Sequence, residues 1–406
     1  MSQTGIRVAL LTAGQDRHYA LGLAPALAQA GVEVELIGNS EMGGFPAIQH
    51  PNIRFFNLRG DMSANAPFYK KACRVLTYYL RLFLFCWKSQ SKIFHILWPN
   101  KFVHFDRTIL NLYYRSWGKK LVFTAHNVNT EARDLTDSAL NRLSLRIQYH
   151  LMDHIFVHTP KMQNELAAEY AVTPNKITSL TYPINNVVPT TNLTRENARR
   201  KLGIPSSEKT VLFFGNIAAY KGVEDLIRAL PLLRGRLRQF RVLLVGRVRE
   251  ERYFNELREL IYESGVTDLV HETFNYVPDD QVEVYFKAAD VLVLPYRRIF
   301  QSGVLFLSYG FGLPVIVSDA GSLGTDVIEG QTGFVSPHSD PIALAEQIYR
   351  YFESDLFAEL ETRRNWIIQY ALANHSWDGF AAKTRQIYEG IISGPQPLRR
   401  RKLSCQ

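Results

Sequence analysis

Residues 291–333 hold an apolar run at 291–295, a basic polar turn, a helical stretch over about 302–309, a break at Gly312-Leu313-Pro314 and a second apolar run at 315–318. Two short strands pointing the same way and joined by a helix require a right-handed crossover, so the stretch predicts a parallel sheet. Such sheets are covered by helices on both faces and bind ligands beyond the carboxyl ends of their strands. The loop at that edge reads Tyr296-Arg297-Arg298-Ile299-Phe300-Gln301-Ser302-Gly303. Its end, Gln301-Ser302-Gly303 running into Val304, also opens the helix. Free first-turn N–H groups and the helix dipole favour an anion there, and Arg297 and Arg298 stand just before it. The pattern reads either as a diphosphate cradle or as a plain strand-to-helix turn with surface arginines, and this stretch alone does not separate the two.

The same alternation recurs on both sides of one break. Strands are expected at 7–12, 32–37, 52–57, 93–98, 120–124 and 155–158, then at 210–214, 240–245, 270–274, 291–295 and 315–318. Helical periodicity fills the gaps, as at 20–30, which Gly31 stops. The break, 181–191, carries Pro183, Asn185-Asn186 and Pro189 without strand or helix periodicity and reads as an interdomain linker. A chain of 406 residues is too long for one ordinary core. The prediction is an α/β protein of two doubly wound, Rossmann-like domains, 1–183 and 184–376, followed by a helix at 377–393 and a basic tail, 394–406, expected to be disordered.

Charge and cysteine content narrow the partners. The formal charge is 47 − 38 = +9, which favours phosphates, nucleic acid or an acidic membrane surface. The basic residues are scattered and no reading motif accompanies them, which argues against nucleic acid. Cys73, Cys86 and Cys405 are few and without metal-ligand spacing, as expected of a reducing, cytoplasmic setting with no metal site. The apolar start at 6–11 is short, is interrupted by Arg7 and lacks a cleavage pattern, and no run reaches the roughly 18 apolar residues of a membrane span. The segment 68–92 stands out: it has Lys70, Lys71, Arg74, Arg81, Lys88 and Lys92, no acid, and Tyr78, Tyr79, Phe83, Phe85 and Trp87 between them. Arg74, Arg81 and Lys88 are seven apart and form one stripe on a helix. Such a helix either lies on an anionic membrane or is a core helix whose solvated face is basic.

Other strand-end loops carry candidate chemistry. Gly215-Asn216-Ile217-Ala218-Ala219-Tyr220-Lys221-Gly222 places Lys221 at the mouth of a helix, where a mobile positive charge adds to the dipole. Gly246-Arg247 follows the next strand, and Arg247 either reaches the same anion or is a surface residue. Towards the N-terminus, Thr124-Ala125-His126-Asn127 ends a strand, and an imidazole there can bond a substrate hydroxyl. The first loop, from Gly14 to Tyr19, offers Arg17 and His18 to the same crevice.

With these motifs in place, the chain resembles the GT-B glycosyltransferases, most closely family 4 (group 1). The resemblance spans nearly the whole chain and is strongest in FFGNIAAYKGVEDLIRAL, the Gly246 turn, DVLVLPY and GLPVIVSDAGSLGTDVIEGQTGFV. It implies a retaining hexosyltransferase with the donor, a UDP- or GDP-sugar, held by the second domain through Gly215, Asn216, Lys221, Gly246, Arg247 and the 297–304 loop. The first domain, with Gly14, Arg17, His18 and the cleft histidine His126, would hold a glycolipid or polysaccharide-precursor acceptor. No metal is implied as required, and the expected location is cytoplasmic, peripheral on the inner face of the membrane. Three departures accompany the match. Asn216 stands where the family often has arginine. The family's paired glutamates fall on Ile299 and Leu307, with Gln301-Ser302-Gly303 present instead. The first-domain glycine-rich loop is reduced to Gly14. A catalytically degenerate partner subunit, or an epimerase or phosphorylase of the same fold, is the alternative.

Overall fold

A computed structural model describes residues 5–63, 66–248 and 250–394. Apart from Gly394, the expected basic tail lies outside the described residues. The chain forms two parallel sheets. The first contains β1 (Arg7–Leu11), β2 (Glu33–Gly38), β3 (Ile53–Asn57), β4 (Ile93–Ile96), β5 (Lys120–Thr124), β6 (His154–Val157) and β7 (Ile177–Ser179), in the order β3-β2-β1-β4-β5-β6-β7. The second contains β8 (Lys209–Phe214), β9 (Phe240–Val245), β10 (Val270–Thr273), β11 (Val291–Leu294), β12 (Val315–Ser318) and β13 (Gly333–Ser336), in the order β10-β9-β8-β11-β12-β13. The two strands first singled out pair as expected, with Leu292 opposite Val315. Strand order reverses between β1 and β4 and between β8 and β11, and those two switch points open the crevices where ligands bind.

The first sheet is covered on one face by α1 (Arg17–Gln29) and on the other by α2 (Phe68–Lys88), by α3 (Asn111–Ser116), which continues a π-helical turn over Asp106–Leu110, and by α4 (Ala139–Leu151). In the second domain, α5 (Val223–Arg234) follows β8 and α6 (Gly303–Gly310) follows β11. Helix α1 begins earlier than its periodicity suggests, because the Asp16 carboxylate accepts from the Tyr19 N–H at 3.3 Å and caps it. Arg17, His18 and Tyr19 therefore sit on a helical turn and not in a loop.

The chain passes between the sheets twice, and the two passages lie side by side. The Ile184 N–H donates to the His375 carbonyl at 2.9 Å, and the Trp377 Nε1–H donates to the Ile184 carbonyl at 2.9 Å. The stretch read as a linker is more than that, since Ile184 and Val188 are buried in the second core. After Trp377 the last helix, α7 (Trp377–Ser393), packs on α1, where a side chain at Gly22 would collide with the Trp377 indole. The Tyr388 hydroxyl meets His95 Nδ1 at 2.6 Å within the first core.

Candidate active site

Loops from the carboxyl edges of both sheets line one cleft of about 620 Å³, within the range of small-molecule sites. Its second-domain wall is built on glycines. Gly246 has φ +145°, and a Cβ there would overlap the Gly215 carbonyl oxygen. A Cβ on Gly215 would lie 3.3 Å from Lys221 Nζ. Lys221 ends a tight turn, is buried, and its Nζ lies 5.0 Å from the Tyr296 ring centre. Burial pushes its ammonium pKa below the usual lysine value; Tyr220 acts against that shift and Arg133 with it. No carboxylate pairs with it among the described residues, so a buried cation is left facing the cleft.

Helix α6 points its first turn into the same space. The Ser302 N–H donates to Gln301 Oε1 at 2.9 Å, while Gln301 Nε2 donates to Asp326 at 2.6 Å. Burial pushes the Asp326 carboxyl up to about 6, against that bond. The open donors are therefore the N–H groups of Gly303 and Val304, and the Ser302 N–H is not among them. Tyr182 closes over this end, with its hydroxyl 3.0 Å from where a Cβ on Gly303 would stand, and its ring stacks on Phe306 at 5.2 Å.

Two expected cations point elsewhere. Arg297 donates through Nε and Nη2 to the Asp225 carboxylate at 2.8 and 2.7 Å and thereby ties the β11 loop to the start of α5. Asp225 lies three residues past Gly222, and this bidentate pair draws the guanidinium out of the cleft. Arg298 is exposed and does not line the cleft. Arg247 does line it, at the exposed rim, as do Asn216 and the apolar side chains of Ile299 and Leu307.

The first-domain wall is made of rings. His126 stacks on Trp98 with centres 4.2 Å apart and planes 7° apart, and meets the edge of Tyr19 at 4.7 Å. His126 Nδ1 is 3.3 Å from His158 Nε2, while His126 Nε2 and Asn127 Oδ1 are buried without a partner. Burial, reinforced by His158 and His95, holds the His126 pKa well below the usual value, and burial brings His158 to about 4. Both rings are neutral at pH 7. Buried polar atoms without partners are rare, and these two belong to residues that line the cleft.

Gly14 does not line the cleft. A side chain there would run into Met62 Sδ, so its φ of +73° serves the turn. Arg17 and His18 reach across to the second domain, where Arg17 Nη2 and His18 Nε2 bond Asp279 Oδ2 at 2.8 and 2.9 Å. Burial raises the Asp279 carboxyl pKa, but the His18 bond and the Arg17 charge outweigh that and hold it below the usual range. Trp98, Arg133, Tyr182 and Asp279 line the cleft without having been singled out in the sequence. Trp98 stands just beyond a strand end, a signal that was available; the others come from segments with no motif.

Two Rossmann-like sheets with a ligand cleft between their carboxyl edges define the GT-B architecture. The description "Glycosyl transferases group 1" matches residues 194–372, and "Glycosyltransferase Family 4" matches residues 17–186. The D-inositol 3-phosphate glycosyltransferase of Corynebacterium aurimucosum is 30% identical over 296 residues, 68% of either chain. That of Paenarthrobacter aurescens is 24% identical over 404 residues, 94% of either chain. The match to that of Corynebacterium diphtheriae, 29% identical, covers 67% of this chain but only 65% of the relative. Among solved structures, sucrose-phosphate synthase from Thermosynechococcus elongatus superposes with a TM-score of 0.73 at 21% identity, over 96% of this chain and 99% of that one. Anabaena HepE, solved with UDP-glucose, superposes with a TM-score of 0.69 at 16% identity, over 94% and 99%. The chain belongs to the GT-B group 1, family 4 glycosyltransferases.

Proposed function

We propose that the chain transfers a hexose, with retention, from a nucleotide-diphosphate sugar to a hydroxyl of a glycolipid or saccharide acceptor. The observation that carries this reading is the buried, unpaired Lys221 beside two side-chain-free turns and the first-turn N–H groups of α6. An unpaired buried cation is costly unless an anion completes it. A diphosphate fits: Gly215 and Gly246 let its oxygens approach the backbone, and the Gly303 and Val304 N–H groups and Lys221 Nζ stabilise the charge that grows as it leaves. Arg247 reaches it from the rim.

The cleft carboxylates are Asp16 and Asp279. One caps α1 and the other is held by Arg17 and His18. Neither is free to act as a nucleophile, which favours attack by the acceptor on the face the diphosphate leaves. Neutral His126, whose buried Nε2 has no partner, is the imidazole we assign to a sugar hydroxyl, and Trp98 backs it. The relatives act, by their name, on an inositol 3-phosphate, so an acceptor bearing phosphate is the first to test.

A thermal-shift series with UDP, GDP, ADP and their sugar conjugates tests the donor half. One nucleotide is expected to stabilise the chain by about 2.7 kcal/mol at a hundredfold excess over its dissociation constant. Nucleotide release from the matching sugar conjugate, dependent on an acceptor, completes the assignment. The apolar Ile299 and Leu307, where the family implies glutamates, favour one rival, a partner subunit without activity. That rival takes over if no nucleotide shifts the transition.

A further inference from the structure

Of the 21 large hydrophobic side chains exposed among the described residues, 14 fall between Met62 and Leu143. They are concentrated on one layer, the outer side of the helices that cover one face of the first sheet. On α2, Tyr69, Leu76, Leu80, Leu84 and Trp87 are exposed at intervals of seven, four, four and three, a single stripe along the helix. The opposite side of the same helix buries Val75, Tyr78, Tyr79, Leu82, Phe85 and Cys86, so the core is already filled without the stripe. Neighbouring elements extend the layer with Ile109 and Leu112 beside α2 and with Leu140 and Leu143 on α4. An apolar surface of this extent on a folded chain marks an interaction site.

Charge identifies the occupant. Residues 62–146, which carry the layer, contain fourteen lysines and arginines and four acids: Asp106, which is buried, Glu131, and Asp134 and Asp137, which pair with Arg133 and Arg142. Lys70, Arg81 and Lys88 are exposed and form a second stripe flanking the apolar one, and Lys101 and Arg146 are exposed beside the rest of the layer. A second copy of the chain would bring the same basic rim against this one, and like charges oppose such a self-complementary contact. An anionic lipid surface satisfies both parts, with apolar side chains at the acyl boundary and lysines and arginines at the headgroups. We propose that this face docks on an anionic bilayer.

The layer also borders the cleft. Trp98, on the cleft wall, and Phe102, exposed on the layer and stacked on Tyr79 at 5.4 Å, are four residues apart, which places them within about 14 Å of each other. A lipid-linked acceptor held in the bilayer would enter the first-domain side of the cleft along this loop. That route rests on the transferase reading; the docking does not.

The test is sedimentation of the full chain with phosphatidylcholine vesicles with and without phosphatidylglycerol, at low and high salt. Binding is expected only with the anionic lipid and weakened by salt. Lys70→Glu with Lys88→Glu should weaken it roughly fivefold or more for each charge, and Leu80→Gln with Trp87→Gln at least about tenfold. All four side chains are solvent-facing, so an unchanged melting temperature identifies loss of docking and not of fold. Absence of binding at low salt overturns the proposal, as does a dimer in solution that the leucine and tryptophan changes dissolve. Vesicle binding without any sugar transfer would leave the surface standing and defeat the transferase reading alone.

Discussion

The two walls of the cleft face one another but follow different rules. The second-domain wall is backbone: glycine turns, a helix start and one buried lysine. The first-domain wall is side chains: His126 against Trp98, Tyr19 at their edge, His158 behind. Backbone N–H groups and a cation recognise a diphosphate of any nucleotide, so that wall is readable from glycine spacing. A ring-lined wall recognises a neutral carbohydrate by stacking and by a few hydroxyl bonds, and its members come from separated segments. On the proposed reading, the donor diphosphate takes the generic wall and the acceptor the particular one.

The difference extends beneath the walls and predicts the largest effect. The first sheet buries neutral histidines: burial, with a small contribution from His154, brings His95 to about 3, and burial brings His158 to about 4. In the unfolded chain both titrate near 6.5. Between those values the unfolded chain binds more protons, so their contribution is complete above pH 6.5 and is lost as pH falls towards 4. At pH 5 each should cost about 2 kcal/mol. Among the described residues of the second domain, only His375 has its pKa lowered, by burial, and its bond to the Tyr182 carbonyl acts against that shift. Hydrogen exchange at pH 7, 6 and 5 should show β4 and β6 losing protection before β8 and β9. Simultaneous loss in both sheets would remove this asymmetry.

A smaller effect separates the walls by role. Lys221→Met replaces an unpaired buried cation by an apolar chain of similar shape. The melting temperature without ligand should hold or rise, because a desolvation cost disappears. Turnover should fall at least about tenfold, the scale of one lost phosphate contact, and nucleotide stabilisation should shrink with it. Unchanged turnover would take Lys221 out of the site and leave the anion to the Gly303 and Val304 N–H groups and Arg247.

How much of this was legible follows the same division. The parallel strands, Lys221 and the glycine turns could be read because each depends on local sequence: apolar runs of strand length, and backbone positions that leave no room for a Cβ. The two-domain plan could be read from chain length and from the aperiodic break between two strand–helix series, and the family likeness agreed with it. Arg297 misled because its partner, Asp225, is 72 positions away, and nothing local tells a phosphate-seeking arginine from one already paired. Ser302 misled because the side chain just before it fills its N–H. Trp98 could have been found by inspecting every strand end. Tyr182 could not, since a residue in an aperiodic stretch gives no hint of the helix it stacks upon. Asp279 became part of the cleft only when the domains met.

Asp279 ties the two walls and gives the smallest predicted effect. Its Oδ2 holds Arg17 and His18 of α1, and Arg17 also donates to the Tyr276 hydroxyl at 3.2 Å. These bonds hold the first-domain helix start against the second domain at the cleft mouth. The groups are partly exposed, so the clasp contributes no more than about 1 kcal/mol. Asp279→Ala should therefore favour a more open arrangement, seen as a larger radius of gyration by small-angle scattering. The Michaelis constant should rise severalfold while kcat changes little, because the diphosphate seat is untouched. High salt should narrow the gap between the two proteins, since the pairing is electrostatic. Equal radii and equal Michaelis constants would mean that the remaining contacts, the crossing at Ile184 and Trp377, the Tyr182–Phe306 stack and Arg133 over the Tyr220 ring, hold the walls together without the clasp.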